Sequence, residues 1–337
     1  MFKKKVIVLS GIAGALAIVY ALTFVFDPER SGKRQAAYRW LDPQSVDAAD
    51  RIEVRGSDTV DLERDGGAWF VVYEDRRFPA KQSRVDELFA ALTKSGAYSA
   101  RGSSREVQEK LGLTDDQTSR ITVLSGGNPL LTLLVGVEDA SGSSIHLRKR
   151  GDDTVRGGED RFSPFVNGSR PSWEDLRLFP DENGVKLGAE SVQRFTVFPP
   201  PDEEGNVQPY YTLARDGKDW KAEAAPAGVS GAPITADIDS YIRGIVDAVG
   251  EDFAAGLSPG GEGFTDPDAV SRVILELGDG STRTLYRGPD FSGKKTVALS
   301  GSPYVWLLSD WAANRIFRTG EGLFNGEQLP ETVSTPD

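Results

Sequence analysis

The sequence predicts an α+β chain: an N-terminal transmembrane helix, then two tandem, internally duplicated modules of mainly antiparallel sheet with packed helices. Three observations predict it. The octapeptide Leu62-Glu-Arg-Asp-Gly-Gly-Ala-Trp69 returns 151 residues later as Leu213-Ala-Arg-Asp-Gly-Lys-Asp-Trp220, and its neighbours return in the same order. Strand-like and helix-like runs arrive in clusters and do not alternate strictly, the pattern of segregated helices and antiparallel strands. An uncharged apolar run covers Val6–Phe26.

That run has 21 residues and follows Lys3, Lys4 and Lys5. About 20 apolar residues cross the hydrocarbon core as a helix. The lysines favour the cytoplasmic side, so residues 1–5 stay inside and the bulk of the chain lies outside, in the periplasm. A cleaved signal peptide is the competing reading, but its apolar core is usually about 7–15 residues and ends at a small-x-small site. Here the run ends Thr-Phe-Val-Phe-Asp-Pro. A retained anchor over 6–26 fits better. Pro28, Gly32 and Pro43 break regular structure, making 27–49 a polar tether.

The first module spans 50–180. Arg51-Ile-Glu-Val54 reads as a strand, and Arg-Asp-Gly-Gly between two further alternating runs is a hairpin turn. Val85, Leu88, Phe89 and Leu92 recur at helical spacing, predicting a helix over 82–95 that starts at Gln82 or Ser83. A short helix follows at 104–111. Strands are expected near 119–124, 130–135, 144–149 and 154–156. The module closes on Trp173, Leu176 and Phe179.

Pro180 to Gly188 reads as a linker, and the second module spans 189–318. Arg194-Phe-Thr-Val197 matches the first strand, and Ile238, Tyr241, Ile242 and Ile245 repeat the helical stripe within a helix over 235–249, capped by Thr235 or Asp237. Gly112-Leu-Thr-Asp115 has its counterpart in Gly263-Phe-Thr-Asp266, and Thr132–Gly136 in Thr284–Gly288. Residues 256–268 are a glycine- and proline-rich loop. Strands are expected near 271–277, 282–287, 295–299 and 304–308, and Trp311, Ile316 and Phe317 close the copy. A period this long argues for paired domains, not a short-repeat solenoid. Residues 319–337 carry little apolar content and are expected to be a disordered tail.

Composition removes several function classes. With no cysteine there is no disulfide, thiol nucleophile, thiolate metal site or lipoprotein-type anchor. The net charge is −12, with 51 acidic residues against 39 basic ones, so the surface repels nucleic acid. Solubility explains most of that charge.

Each chemical candidate meets a plainer reading. Gly288-Pro-Asp-Phe-Ser-Gly-Lys-Lys-Thr296 approaches a phosphate-binding loop, but Lys295 stands where the magnesium-binding hydroxyl belongs, and a strand follows where a helix should. A hairpin loop accounts for it. His146 is the single histidine and sits on an expected strand. It lacks the companions of a zinc site, and no Gly-x-Ser-x-Gly elbow offers it a nucleophile. Asp115-Asp116, Asp152-Asp153 and Asp202-Glu-Glu204 lack the spacing of a calcium loop. Trp69 and Trp220 could stack sugars, but an aromatic after a hairpin at the same place in both copies is better read as core. No catalytic residue, cofactor or metal is therefore expected. Copy-to-copy differences concentrate in 199–209 and 256–268.

These residues carry a family resemblance. A short N-terminal anchor leads to a strand and a Leu-x-Arg-x-Gly-x-x-Trp hairpin. A helix, a Gly-Leu-Thr-Asp element, strands with Leu-x-x-Gly and a closing Trp…Leu…Phe segment follow. The layout resembles the bacterial family called domain of unknown function 4340, in two tandem copies over about 40–320. The resemblance implies an envelope accessory component beside a gliding-motility-type ABC transporter, and brings no catalytic residues. The expectation is thus a non-enzymatic single-pass envelope protein that binds ABC-type transporter subunits through its extracytoplasmic modules. The rival is a ligand-binding module for a cell-wall glycan or peptide. Its cleft between the copies would be lined by Tyr210, Tyr211 or Tyr304.

Overall fold

The computed structural model describes residues 37–325, except 117–118, 140–141, 182–184, 227–228, 230, 262–263, 265–268 and 321. In chain order come β1 (Ala37–Tyr38), β2 (Arg51–Arg55), β3 (Thr59–Asp65), β4 (Ala68–Tyr73), β5 (Arg76–Pro79), α1 (Gln82–Thr93), β6 (Gly96–Gly102) and α2 (Arg105–Lys110). Then follow β7 (Arg120–Ser125), β8 (Asn128–Glu138), β9 (Ser144–Lys149), β10 (Val155–Glu159), α3 (Ser163–Val166), β11 (Val192–Phe198), β12 (Tyr211–Asp216) and β13 (Asp219–Ala224). The last elements are α4 (Thr235–Val246), β14 (Asp252–Phe253), β15 (Arg272–Leu277), β16 (Thr282–Arg287), β17 (Lys295–Leu299), β18 (Val305–Leu308) and α5 (Asp310–Ile316). Two units emerge, one of residues up to Thr59 with Asp86–Gly168, the other of Val60–Val85 with residues from Ser169 onward.

In the first unit, β2, β7, β8, β9 and β10 pair antiparallel in that order, and β6 and β1 extend the sheet beyond β10. Alternation puts Ile52 and Val54 of β2 and Ile121 and Val123 of β7 inside. Leu113, Leu134 and Val155 form a small buried cluster. Beside it, Arg148 is buried and donates to the carbonyls of Leu113 (2.6 Å) and Asp152 (3.3 Å) and to Asp115. Ser104 caps α2 by accepting from the Val107 N–H at 3.4 Å.

In the second unit, β11, β15, β16, β17 and β18 pair antiparallel in the same succession, with β14 beyond β18. On the other side of β11 lie β12 and β13. Both octapeptides sit in this unit and form two-residue hairpins. Asp65 faces Ala68 and Arg64 faces Trp69, while Asp216 faces Asp219 and Arg215 faces Trp220. Gly66 (φ +56°) and Gly67 (φ +89°) both occupy the left-handed region, as a type I′ turn requires, whereas in the second copy only Gly217 does (φ +67°), as in type II′.

The core of this unit gathers around Phe195, whose ring meets those of Trp220 (5.5 Å), Tyr211 (5.7 Å) and Tyr241 (5.9 Å). Ile238, Tyr241, Ile242 and Ile245 supply the inner face of α4. Tyr211 and Tyr241 satisfy their buried hydroxyls on the carbonyls of Arg318 (3.1 Å) and Ile316 (2.6 Å). Residues 173–178 form a strap beside this core. Lys81 N–H donates to the Trp173 carbonyl at 2.7 Å, and Asp175 N–H to Pro79 at 2.8 Å. On its other edge, Gly250 N–H donates to Leu176 at 2.8 Å and Leu178 N–H to Ala248 at 3.0 Å.

The fold class needs correcting. The structure is 19% helical and mostly antiparallel sheet, so the sheet is as the sequence predicts but the helices are too few for the α+β class: it is a β fold with a few helices. The transmembrane helix expected over 6–26 lies outside the described residues, and among the described residues no helix is long and apolar enough to cross a membrane. Strands β1, β5, β6 and β14 lie outside the expected ones; β6, with sequence Gly-Ala-Tyr-Ser-Ala-Arg-Gly, buries only Tyr98 and shows no apolar alternation. Neither Thr235 nor Asp237 caps α4: Ile234 holds the cap position, and no side chain bonds there. Part of the expected tail is core, since Leu323 and Phe324 are buried, while residues 326–337 lie outside the described residues.

Candidate functional site

The most unusual chemistry in the second unit is a buried charge cluster at the strap. A short turn, Arg170–Trp173, points Arg170 inward, and Glu174 bridges to Ala80 at the end of β5. The Arg170 guanidinium donates to Glu174 and, through Nη2, to both oxygens of Asp252 at 2.8 Å each. It also stacks on the ring of Tyr73, 3.7 Å from the centroid. One cation thus serves two carboxylates and an aromatic face.

Burial decides the protonation of this cluster. The Glu174 side chain is 0% exposed. Desolvation pushes its carboxyl up to about 7, and the neighbouring Asp252 charge adds to the rise against the pull of Arg170. Its Oε2 is buried without a hydrogen-bond partner among the described residues, which disfavours the charged form further. Tyr73 is likewise pushed above its ordinary value, first by burial and then by Glu174 and Asp252. A carboxyl with no exposed surface cannot touch a solute without movement. The cluster is a clamp on the strap, with a strength that depends on one proton.

The surface nearby carries two hollows. One, of about 550 Å³, is lined by Lys81, Gln82, Pro171, Asp175, Arg177 and Val249. The other, of about 390 Å³, lies between α4 and α5 and is lined by Arg243, Val249, Leu308, Trp311, Arg315 and Ile316. Val249 borders both and is 55% exposed. Trp311 stands out further. Trp40, Trp69, Trp173, Trp220 and Trp306 are at most 4% exposed, whereas Trp311 is 71% exposed.

Helix geometry explains this exposure. Ser309 caps α5 by accepting from the Ala312 N–H at 3.3 Å, which fixes the helix start. Ala313, Ile316 and Phe317 then share the buried side. Trp311 lies two residues before Ala313, roughly 200° away around a helix at about 100° per residue, and so faces out. It was expected to close the second core as Trp173 does the first, but only Ile316 and Phe317 do so.

The family model described as Domain of unknown function (DUF4340) matches residues 69–271, more than half of the chain. The chain belongs to the DUF4340 family. No curated protein and no solved structure matches it. The DUF4340 match contains Trp69, the strap, Arg170, Glu174, Asp252 and α4, while α5 and Trp311 lie beyond it.

The structure places the other sequence candidates of this DUF4340 chain in structural roles. Trp220 is 3% exposed, and its Nε1 donates to Asp239 of α4 at 2.9 Å. Arg215 stacks on that ring at 4.5 Å and also donates to Asp239, at 2.7 Å. In the loop from Gly288, Lys294 pairs with Glu251 and Lys295 with Asp290. The Thr296 hydroxyl, in β17, donates to the Pro289 carbonyl at 2.6 Å, so this is a hairpin loop with its cations already neutralised. His146 Nδ1 lies 2.9 Å from the Val137 carbonyl on the neighbouring strand. Asp202 accepts from the N–H groups of Glu204 and Asn206, a self-contained turn. Among the described residues no three His, Asp or Glu side chains converge as metal ligands. Tyr211 is buried, and Tyr304 packs on Phe78, Phe253 and Trp306, leaving Tyr210 as the exposed member of that trio. The Arg170–Glu174–Asp252 cluster is not legible in the sequence. Its members are 78 residues or more apart on one side, and the only local sign is an Arg and a Glu flanking Trp173.

Proposed function

We propose that this chain is a non-enzymatic binding protein of the cell envelope, an accessory component of an ABC-type transporter complex that acts by holding partner proteins. One observation carries the reading: a single tryptophan, Trp311, stands 71% exposed beside Val249 on a chain that buries its other five. Exposed aromatic and aliphatic groups rimmed by polar ones are what protein interfaces require. The transporter as partner, and the extracytoplasmic location, rest on the family resemblance. We infer in addition that the chain holds two tandem copies of one module. Two things support this: the octapeptides take the same hairpin register, and β2-β7-β8-β9-β10 and β11-β15-β16-β17-β18 follow one pairing order. The test is affinity capture of the full chain from detergent-solubilised membranes, with the co-purifying proteins identified. Subunits of an ABC transporter are expected. Reproducible recovery of the chain alone would sink the reading.

A further inference from the structure

We propose that the groove between α4 and α5 docks an acidic amphipathic segment of a partner protein, with carboxylates astride a bulky apolar side chain. The proposal rests on the partner-binding reading above and names the surface and the chemistry of its occupant.

The groove has an apolar floor and a cationic rim. Leu308 and Ile316 form the floor, and Val249 and Trp311 flank it, exposed. Its volume, about 390 Å³, suits a side chain or two of an inserted segment. Arg243 of α4 and Arg315 of α5 stand on the rim. Neither forms an ion pair with a carboxylate among the described residues, although the chain carries 51 acidic residues. Arg315 lies instead over the Trp311 ring, 5.5 Å from its centroid.

The acidic groups close by are already committed. Asp247, which lines the groove, pairs with Lys186 at 2.8 Å. Glu251 pairs with Lys294, and Asp310 lies 3.6 Å from Lys295. A protein of net charge −12 therefore presents, at its one exposed tryptophan, two guanidinium groups with no ion-pair partner among the described residues, while the one carboxylate lining the groove, Asp247, is held by Lys186. Arginine is the cation best suited to desolvated carboxylates, because it is weakly hydrated and binds them through a planar fork. Apolar floor and cationic rim together select an occupant that is apolar in the middle and anionic at its edges. A basic segment meets two like charges, and a purely polar acidic one leaves Trp311 and Val249 in water.

The probe is a synthetic amphipathic helix of Leu and Glu, added to the full chain in detergent. Trp311 is its own reporter through acrylamide quenching of tryptophan emission. The Leu/Glu helix is expected to shield one accessible tryptophan, a signal absent from Trp311→Phe. Arg243→Glu with Arg315→Glu, checked for an unchanged melting temperature, is expected to weaken binding at least about tenfold, as loss of paired interfacial charges does. Three results would overturn the proposal: no shielding by the Leu/Glu helix, equal shielding by Leu/Lys or Gln/Glu helices, or the double variant binding as the wild type does. Shielding that comes with a doubling of mass in the absence of peptide would make the occupant a second copy of the chain, and also overturns it. Capture of transporter subunits separates this idea from the one beneath it. Capture by wild type and Trp311→Ala alike refutes the groove and leaves the partner reading standing, whereas peptide binding without any capture refutes the partner reading alone.

Discussion

Replacing Glu174 by Gln tests the buried clamp most sharply. The glutamine is isosteric and neutral at every pH, and it can still accept from Arg170. In the folded chain Glu174 titrates near 7, against an ordinary value of 4.5. Between those values the folded state holds a proton that the unfolded state has released. Unfolding therefore releases a proton, and stability falls as pH rises through that window. At about 1.4 kcal/mol per pH unit, the fall amounts to about 3 kcal/mol. Below pH 4.5 and above pH 7 this group contributes no slope. The variant lacks the fall altogether. Urea unfolding at pH 5 and pH 8 is then expected to show near-equal stability at pH 5, with Glu174→Gln more stable by about 3 kcal/mol at pH 8. Other carboxylates shape both curves equally and cancel in the difference. A difference that stays constant between pH 5 and pH 8 would refute the assignment of a raised Glu174 carboxyl.

Other substitutions probe the roles given to single side chains. Trp220→Ala empties a core position and removes one of the two donors to Asp239, and is expected to cost about 3–5 kcal/mol, while Trp311→Ala changes stability by less than about 0.5 kcal/mol; urea titration of both variants decides. Gly217→Val places a branched side chain at φ +67° and is expected to cost about 1–2 kcal/mol, read as a lower unfolding midpoint. Arg148→Met leaves the Leu113 and Asp152 carbonyls without their buried donor and is expected to cost about 3 kcal/mol, visible as early loss of amide protection in β8 and β9.

What sequence could and could not disclose follows from where each feature stores its information. Hairpins are local: Gly66-Gly67 and Gly217 must take left-handed φ, so the turn and its register could be read directly. Helix α1 begins at Gln82, and α4 begins at Thr235, as the apolar spacing indicates. Strands β9, β16 and β17 occupy the expected residues 144–149, 282–287 and 295–299. The failures are non-local. Strand β6 is held by pairing with β10 and β1, not by its own apolar pattern. Glu174 is ordinary until the fold buries it and brings the Asp252 charge from a distant segment beside it. Trp311 looks like core by analogy with Trp173, and only the start of α5 at Asp310 turns it outward. The phosphate-loop lookalike fails for the reason visible in the sequence, a strand where a helix is needed.

The central claim is that the Trp311 face holds a partner protein. Its most direct measurement places a photo-crosslinking phenylalanine analogue at position 311 of the full chain in intact cells, with exposed Val137 as the control position. The account predicts a crosslink from position 311 to a subunit of an ABC transporter, and none to that subunit from position 137. Crosslinking that is absent at 311, or equal at the two positions, would contradict it.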